Sequence, residues 1–132
     1  MALIVQKYGG TSVGTPERIQ AVTEKIIQYR EQGNQLVVVV SAMSGETDRL
    51  LSMAATMSAR PVPRELDVLL ATGEQTTIAL LSMALVERGC AARSYTGAQV
   101  HILTDGVHNK ARILNIDADR VRSDLAAGCV VV

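Results

Sequence analysis

Five consecutive aliphatic residues, Leu36 to Val40, constrain the fold of this chain more than any other segment. A run without polar alternation is typical of a parallel strand that is buried on both faces. The preceding segment predicts a helix, because its apolar residues recur at spacings of three and four. They are Ile19, Val22, Ile26 and Tyr29. Strand and helix alternate along the chain, so we expect an α/β fold whose mostly parallel sheet is covered by helices on both sides.

A glycine-rich segment lies between the first predicted strand, Leu3–Tyr8, and the first helix. It reads Lys7-Tyr8-Gly9-Gly10-Thr11-Ser12-Val13-Gly14, and Thr15 and Pro16 follow as a helix cap and first helical residue. Glycines let backbone N–H groups approach an anion closely, and a lysine adds a charge. The pattern predicts a phosphate-binding loop at the carboxyl edge of the sheet. A tight turn with an incidental lysine is the alternative.

Two better-known phosphate motifs are absent from this segment. Gly9 and Gly14 have the spacing of a Walker A loop, but Thr15 stands where that motif requires lysine. The G-x-G-x-x-G spacing of dinucleotide-binding folds is missing as well.

The remaining elements are predicted from turn residues and periodicity. Ser41–Gly45 is a second strand-to-helix turn, and Arg60–Pro63 ends the helix that follows it. Leu66–Arg88 is helix-prone, with an expected interruption at Thr72-Gly73-Glu74 and an end at Gly89. We expect short strands at Ala92–Tyr95 and Val100–Leu103, and a helix at Asp117–Ala127.

Composition argues against several classes of function. The 132 residues contain 13 Lys plus Arg and 13 Asp plus Glu, and the three tyrosines are the only aromatic residues, so nucleic-acid binding has little support.

No signal peptide is visible, and the run Leu36–Val40 is too short to span a bilayer. Cys90 and Cys129 lack metal-ligand spacing and are interpreted as reduced, buried residues, which favours a cytoplasmic protein. A disulfide between them is the alternative. The methionines, including Met53, Met57 and Met83, are expected to fill the core.

The last residues, Cys129 to Val132, follow Gly128 and predict the opening of a buried strand. An apolar strand left exposed invites edge pairing, so we expect this chain to be a piece of a longer protein. A terminal strand tucked into the sheet is the alternative.

Five segments, in this order and spacing, resemble the N-terminal part of the catalytic domain of aspartate kinases, in the amino-acid kinase family. They are Lys7–Gly14, Val38–Asp48, Leu70–Gln75, Thr96–Gln99 and His108–Ile113. The resemblance covers essentially the whole chain. It implies an open α/β/α sandwich with a mostly parallel sheet, present here only in part. Residues 1–132 would be the N-terminal portion of the kinase domain, without the nucleotide-binding half and the regulatory domains.

The reaction implied is phosphoryl transfer from ATP to the side-chain carboxylate of L-aspartate, which feeds lysine, threonine and methionine biosynthesis. Mg²⁺ would arrive with the nucleotide, and no metal site is expected in the protein. Lys7 is the catalytic candidate, because a positive charge offsets the approach of two anions. The phosphate-binding candidates are Lys7, Tyr8, Gly9, Gly10, Ser12 and Ser41. By resemblance Thr47 and Glu74 contact aspartate, with Glu74 beside its ammonium group; Ser41 and Thr47 could equally be helix caps.

Other readings remain open at this stage. The chain could belong to an amino-acid kinase family enzyme acting on glutamate, carbamate or a nucleotide. It could also be a non-catalytic module that dimerises or recruits a partner. We expect a homo-oligomer, or association with the remainder of the enzyme, and little or no activity from these residues alone.

Overall fold

The computed structural model describes all 132 residues, which form six strands and four helices. In chain order these are β1 (Leu3–Tyr8), α1 (Pro16–Glu31), β2 (Gln35–Val40), α2 (Glu46–Met57), α3 (Pro63–Glu87), β3 (Ala92–Arg93), β4 (Ile102–Thr104), β5 (Ile113–Ile116), α4 (Asp119–Ala126) and β6 (Val130–Val131). The predicted α/β class is confirmed. The strands predicted at Ala92–Tyr95 and Val100–Leu103 are shorter or shifted, and β5 was not predicted.

Four strands form a parallel sheet in the order β1-β2-β6-β3. The β1–β2 pairing runs in register from Leu3 beside Gln35 to Tyr8 beside Val40. β6 lies inside the sheet, where Val131 pairs with Val37 and with Arg93. The terminal apolar run is therefore tucked into the sheet, as in the second of the two predicted arrangements.

The two faces of the sheet are covered unequally. Leu36, Val38 and Val40 are buried against α1 and α3. Val39 points to the other face and is 48% exposed, because α4 covers that face only beside Val37. The prediction that β2 is buried on both faces is therefore wrong for one face.

Helix α1 begins as its sequence predicts. The Thr15 hydroxyl accepts a hydrogen bond from the Arg18 N–H at 3.2 Å, and Pro16 is the first helical residue. Three of the four predicted inward residues are buried: Ile19, Val22 and Ile26. These caps and contacts place the amino end of α1 directly after the glycine-rich segment.

Helix α3 continues through Gly73, so the predicted interruption is wrong. A Cβ at position 73 would lie 3.0 Å from the Cβ of Ala42 and 3.5 Å from the Cδ1 of Leu50. Gly73 thus permits close packing of α3 against α2 and the second turn. The helical hydrogen bonds and this contact outweigh the usual cost of a mid-helix glycine, which is about 1 kcal/mol.

Residues 101–117 contain a second, two-stranded antiparallel sheet formed by β4 and β5. All four residues of β5 are exposed, although three are large and apolar. Since neither face of β5 is buried, its sequence does not alternate between apolar and polar residues, and no strand was predicted there.

Two expectations from composition need correction. Met53, Met57 and Met83 are exposed rather than core residues. Helix α3, at 25 residues, is long and apolar enough to cross a membrane by length and composition, which the run Leu36–Val40 is not. This is weak evidence for a membrane span, since core helices of soluble proteins pass the same test and Leu81 and Leu85 of α3 are fully buried.

We expect Gly73→Val to lower the free energy of unfolding by about 1–3 kcal/mol, because the added atoms would overlap Ala42 and Leu50. Helix propensity alone would favour valine slightly over glycine, so any loss isolates the packing term. Urea unfolding followed by circular dichroism measures the change. Ala71→Val, at an exposed position of the same helix, is the control. Equal stability of Gly73→Val and the unchanged chain would contradict the close-packing role.

Candidate functional site

The first two strand-to-helix turns, residues 9–15 and 41–45, pack against each other at the carboxyl edge of the sheet. The Ser41 N–H donates to the Tyr8 carbonyl at 3.2 Å, and the Ser44 N–H donates to the Gly10 carbonyl at 3.1 Å. A Cβ on Gly10 would lie 3.0 Å from the Ala42 carbonyl oxygen. A side chain at position 10 would therefore crowd the neighbouring turn.

The first turn is closed by its own hydrogen bonds. The Ser12 N–H donates to the Gly9 carbonyl at 3.0 Å, and Arg18 Nη1 donates to the Thr11 carbonyl at 3.1 Å. Gly9 is open, since a Cβ there would meet nothing within 4 Å. Arg18 adds a guanidinium beside this turn that sequence reasoning missed, because a helix-exposed arginine carries no distinguishing pattern.

Lys7 and Tyr8 leave β1 on opposite faces, as neighbouring strand residues do. Lys7 is exposed and shares its face with its register partner Val39. Tyr8 is half-buried, and its hydroxyl donates to Gln6 Oε1 at 2.9 Å. Burial, with a smaller contribution from Tyr29, raises the pKa of the Tyr8 phenol. Of these two side chains, Lys7 is the cationic one at the carboxyl edge of the sheet.

A cavity of about 520 Å³ opens near the carboxyl ends of β2 and β6. Its lining is mostly aliphatic, from Val37 to Val40 in β2 and from Val131 in β6. Helix α3 contributes Glu74, whose carboxylate is the one ionisable acid in the lining. A concave, apolar cavity with few polar groups is the usual form of a small-molecule site.

Thr47 is exposed in the first turn of α2, whose amino end follows Gly45 in the left-handed conformation, with φ of 80°. Its neighbour Glu46 accepts two hydrogen bonds from Arg49, at 2.7 and 2.9 Å. These bonds lower the pKa of the Glu46 carboxyl. A Cβ added at Gly73 would also lie 3.5 Å from the Cγ of Glu46, so the start of α2 adjoins the middle of α3.

The predicted site residues thus lie at one edge of the sheet but not in one cavity. Glu74 lines the large cavity, whereas Lys7 lines a separate depression of about 270 Å³. Ser12 lines a third depression with Tyr8 and Arg18. Ser41 is half-buried between the two turns. No three His, Cys, Asp or Glu side chains come together as a metal-binding group.

The model of the amino acid kinase family matches residues 2–132. The chain belongs to the amino acid kinase family. Among its relatives, an aspartokinase of Pseudomonas aeruginosa is 66% identical over 132 residues, and aspartokinase 2 of Bacillus subtilis is 52% identical. Both alignments cover the whole chain and 32% of the relative, so the chain spans about a third of the length of these proteins.

Solved structures agree with this assignment. The aspartate kinase from Synechocystis is 51% identical, with a TM-score of 0.81 over 98% of this chain and 21% of that one. Escherichia coli aspartokinase III in complex with aspartate and ADP has a TM-score of 0.78 over 99% of this chain and 40% of that one. At 18% identity the second comparison supports the fold alone. The predicted amino-acid kinase fold is confirmed.

Gly10→Ala and Gly9→Ala are a matched pair of variants, because position 10 is packed against the second turn and position 9 is open. We expect Gly10→Ala to cost about 1–3 kcal/mol of unfolding free energy, because its Cβ would press on the Ala42 carbonyl. Gly9→Ala should be neutral or slightly stabilising, since the position is open and has no positive φ. Urea unfolding of both variants provides the measurement. Equal effects of the two would show that the turns do not depend on their mutual contact.

Proposed function

We propose that this chain is the N-terminal portion of an aspartokinase catalytic domain, and that the whole enzyme transfers the γ-phosphoryl group of ATP to the side-chain carboxylate of L-aspartate. The observation that carries the proposal is the meeting of two packed strand-to-helix turns, Lys7 and the Glu74 cavity at one sheet edge. Relatives named aspartokinase, up to 66% identical over the whole chain, supply the reaction.

The chemistry needs little from the protein beyond position and charge. A side-chain carboxylate with an unperturbed pKa of about 3.9 is already ionised at neutral pH, so no general base is required. The difficulty is repulsion between the carboxylate and the phosphoryl group. Lys7 offsets it by stabilising the charge on the transferring oxygens. Gly9 and Gly10 contribute backbone N–H groups to the phosphates, with Tyr8, Ser12 and Ser41 beside them.

Glu74 and Thr47 are proposed to hold the amino acid. Glu74 is exposed at the edge of the apolar cavity, where its carboxylate can pair with the ammonium group of aspartate. Thr47 supplies a hydroxyl from the first turn of α2. Mg²⁺ is proposed to enter with the ATP phosphates, which keeps several of its ligands outside the protein.

The cellular role follows the same proposal. The product, 4-phospho-L-aspartate, feeds lysine, threonine and methionine biosynthesis, which implies a cytoplasmic enzyme. We propose that the remainder of the enzyme completes the nucleotide site, and that the whole protein forms a homo-oligomer.

A chimera tests the assignment directly. Residues 1–132 replace the matching segment of the Pseudomonas aeruginosa aspartokinase, and ATP- and Mg²⁺-dependent phosphorylation of aspartate is assayed. In this chimera Lys7→Ala should lower kcat about 10²–10³-fold, the usual effect of removing one group that stabilises transition-state charge. Arg60→Ala, at an exposed position between α2 and α3, is the control. A normal kcat for Lys7→Ala would remove Lys7 from the mechanism.

The chimera also separates the alternative substrates. Glutamate, carbamate and nucleoside monophosphates are offered in place of aspartate at matched concentrations. Preference for any of them would replace aspartate in the proposal.

The 132-residue chain by itself should give no measurable turnover with ATP, Mg²⁺ and aspartate, because we propose that half of the nucleotide site lies elsewhere. A coupled assay for ADP release checks this at protein concentrations that detect slow turnover. Robust turnover would show that these residues already contain the complete site.

A further inference from the structure

One carboxylate ties the tip of the β4–β5 hairpin to the first turns of α3. His108 Nδ1 lies 2.8 Å from Asp67 Oδ2, and the Asn109 N–H donates to the same oxygen at 3.2 Å. A carboxylate only accepts hydrogen bonds, so the imidazole donates from Nδ1. Asn109 adopts the left-handed conformation, with φ of 63°, which asparagine tolerates better than most residues. The contact joins residues that are 41 and 42 positions apart in sequence.

Little else holds this hairpin in place. Ile113, Leu114 and Ile116 of β5 are all more than half exposed. A two-stranded hairpin is marginally stable by itself in water. At its base, the Ile102 N–H donates to the Gly97 carbonyl at 2.8 Å, and His101 and Asp117 are joined by a backbone and a side-chain contact that are both 3.5 Å long. Neither contact reaches a helix. Asp67 therefore provides the strongest polar contact between the hairpin and the helical layer.

The face of α3 that carries Asp67 also lines the large cavity. Ala71, Glu74 and Ile78 follow Asp67 at intervals of four, three and four residues, which places all four on one side of the helix. The cavity lining also includes Ile102, the first residue of β4, and Val100 just before it. Helix α3 and the hairpin thus both line one cavity. Asp67 joins the helix to the hairpin just outside that cavity.

We propose that Asp67, with His108 and Asn109, is a latch that holds the β4–β5 hairpin against α3 and fixes the width of the cavity that Glu74 lines. Asp67 is a positioning residue, since it acts through the hairpin and lies outside the cavity lining. Only the identity of the ligand rests on the proposed function; the latch itself does not.

Limited trypsin digestion of the 132-residue chain tests the latch, because Lys110 and Arg112 lie at the hairpin tip. When opening is fast, cleavage follows the population of the open form. The side chains of His108 and Asp67 are 47% and 38% exposed, so their contact is partly screened by water. Its loss should raise that population modestly, and Asp67→Ala should speed cleavage at both sites about 2- to 5-fold. Glu87→Ala, an exposed carboxylate on the same helix, should leave the rate unchanged.

Conservative variants separate the latch from a general loss of stability. Asp67→Asn keeps one oxygen for the Asn109 N–H and should give an intermediate rate. His108→Asn keeps a side-chain donor and should restore most of the protection that His108→Ala loses. His108→Ala alters the exposed end of the same contact, so it remains informative if Asp67→Ala fails to fold. Unchanged cleavage in both alanine variants, with unfolding curves like that of the parent, would overturn the latch.

The consequence for binding is measured in the chimera with the Pseudomonas aeruginosa enzyme. An open hairpin lowers the fraction of binding-competent protein, so Asp67→Ala should raise the KM for aspartate by up to the same 2- to 5-fold and leave kcat nearly unchanged. A fall in kcat with unchanged KM would contradict a positioning role. If the chimera phosphorylates another substrate instead, the KM for that substrate is measured. That outcome would contradict the proposed reaction but not the latch.

Discussion

The in-register parallel pairing of β1 with β2 is the constraint on which the rest of the structure depends. Because the two strands are paired over their full lengths, they end at the same level, and both chains turn into helices at one edge. The two turns must then share a narrow space. Gly10 meets the Ala42 carbonyl there, and Ser44 donates to the Gly10 carbonyl. These contacts hold the first turn in place without a ligand. If this turn binds phosphate as proposed, its preorganisation would lower the entropic cost of binding.

This packing changes the meaning of the glycine pair. Sequence reasoning treats Gly9 and Gly10 alike, as two positions where a backbone can approach an anion. In the structure Gly10 is fixed by the second turn, whereas Gly9 faces open space. Of the two, Gly9 is the one whose missing side chain leaves room for a ligand, and Gly10 holds the loop in place.

Sequence patterns predicted the elements whose signals are local. Helix α1 has its cap, its proline and its apolar stripe within 16 residues, and all three correspond to the structure. The failures involve contacts that no local pattern encodes. Gly73 is tolerated in α3 because Ala42 and Leu50 pack closely against it. Strand β5 is exposed on both faces, so its sequence does not alternate between apolar and polar residues. Lys7 and Glu74 were predicted from motifs, and His108 begins one of the segments of the family resemblance. No local pattern predicts that His108 contacts Asp67, because the two residues are 41 positions apart.

The unequal covering of the sheet bears on how Lys7 can work. Lys7 shares its face with Leu3, Val5 and Val39, all of which are about half exposed or more. An ammonium group beside apolar surface attracts an anion more strongly as water is excluded, because the effective dielectric constant falls. Full burial would instead impose a large desolvation cost without a paired anion. Lys7 avoids that cost because it is the penultimate residue of β1, at the rim of the apolar face. In the proposed reaction, a phosphate that excludes water there would also supply the countercharge. The attraction between Lys7 and the phosphate would then strengthen only when the phosphate is bound.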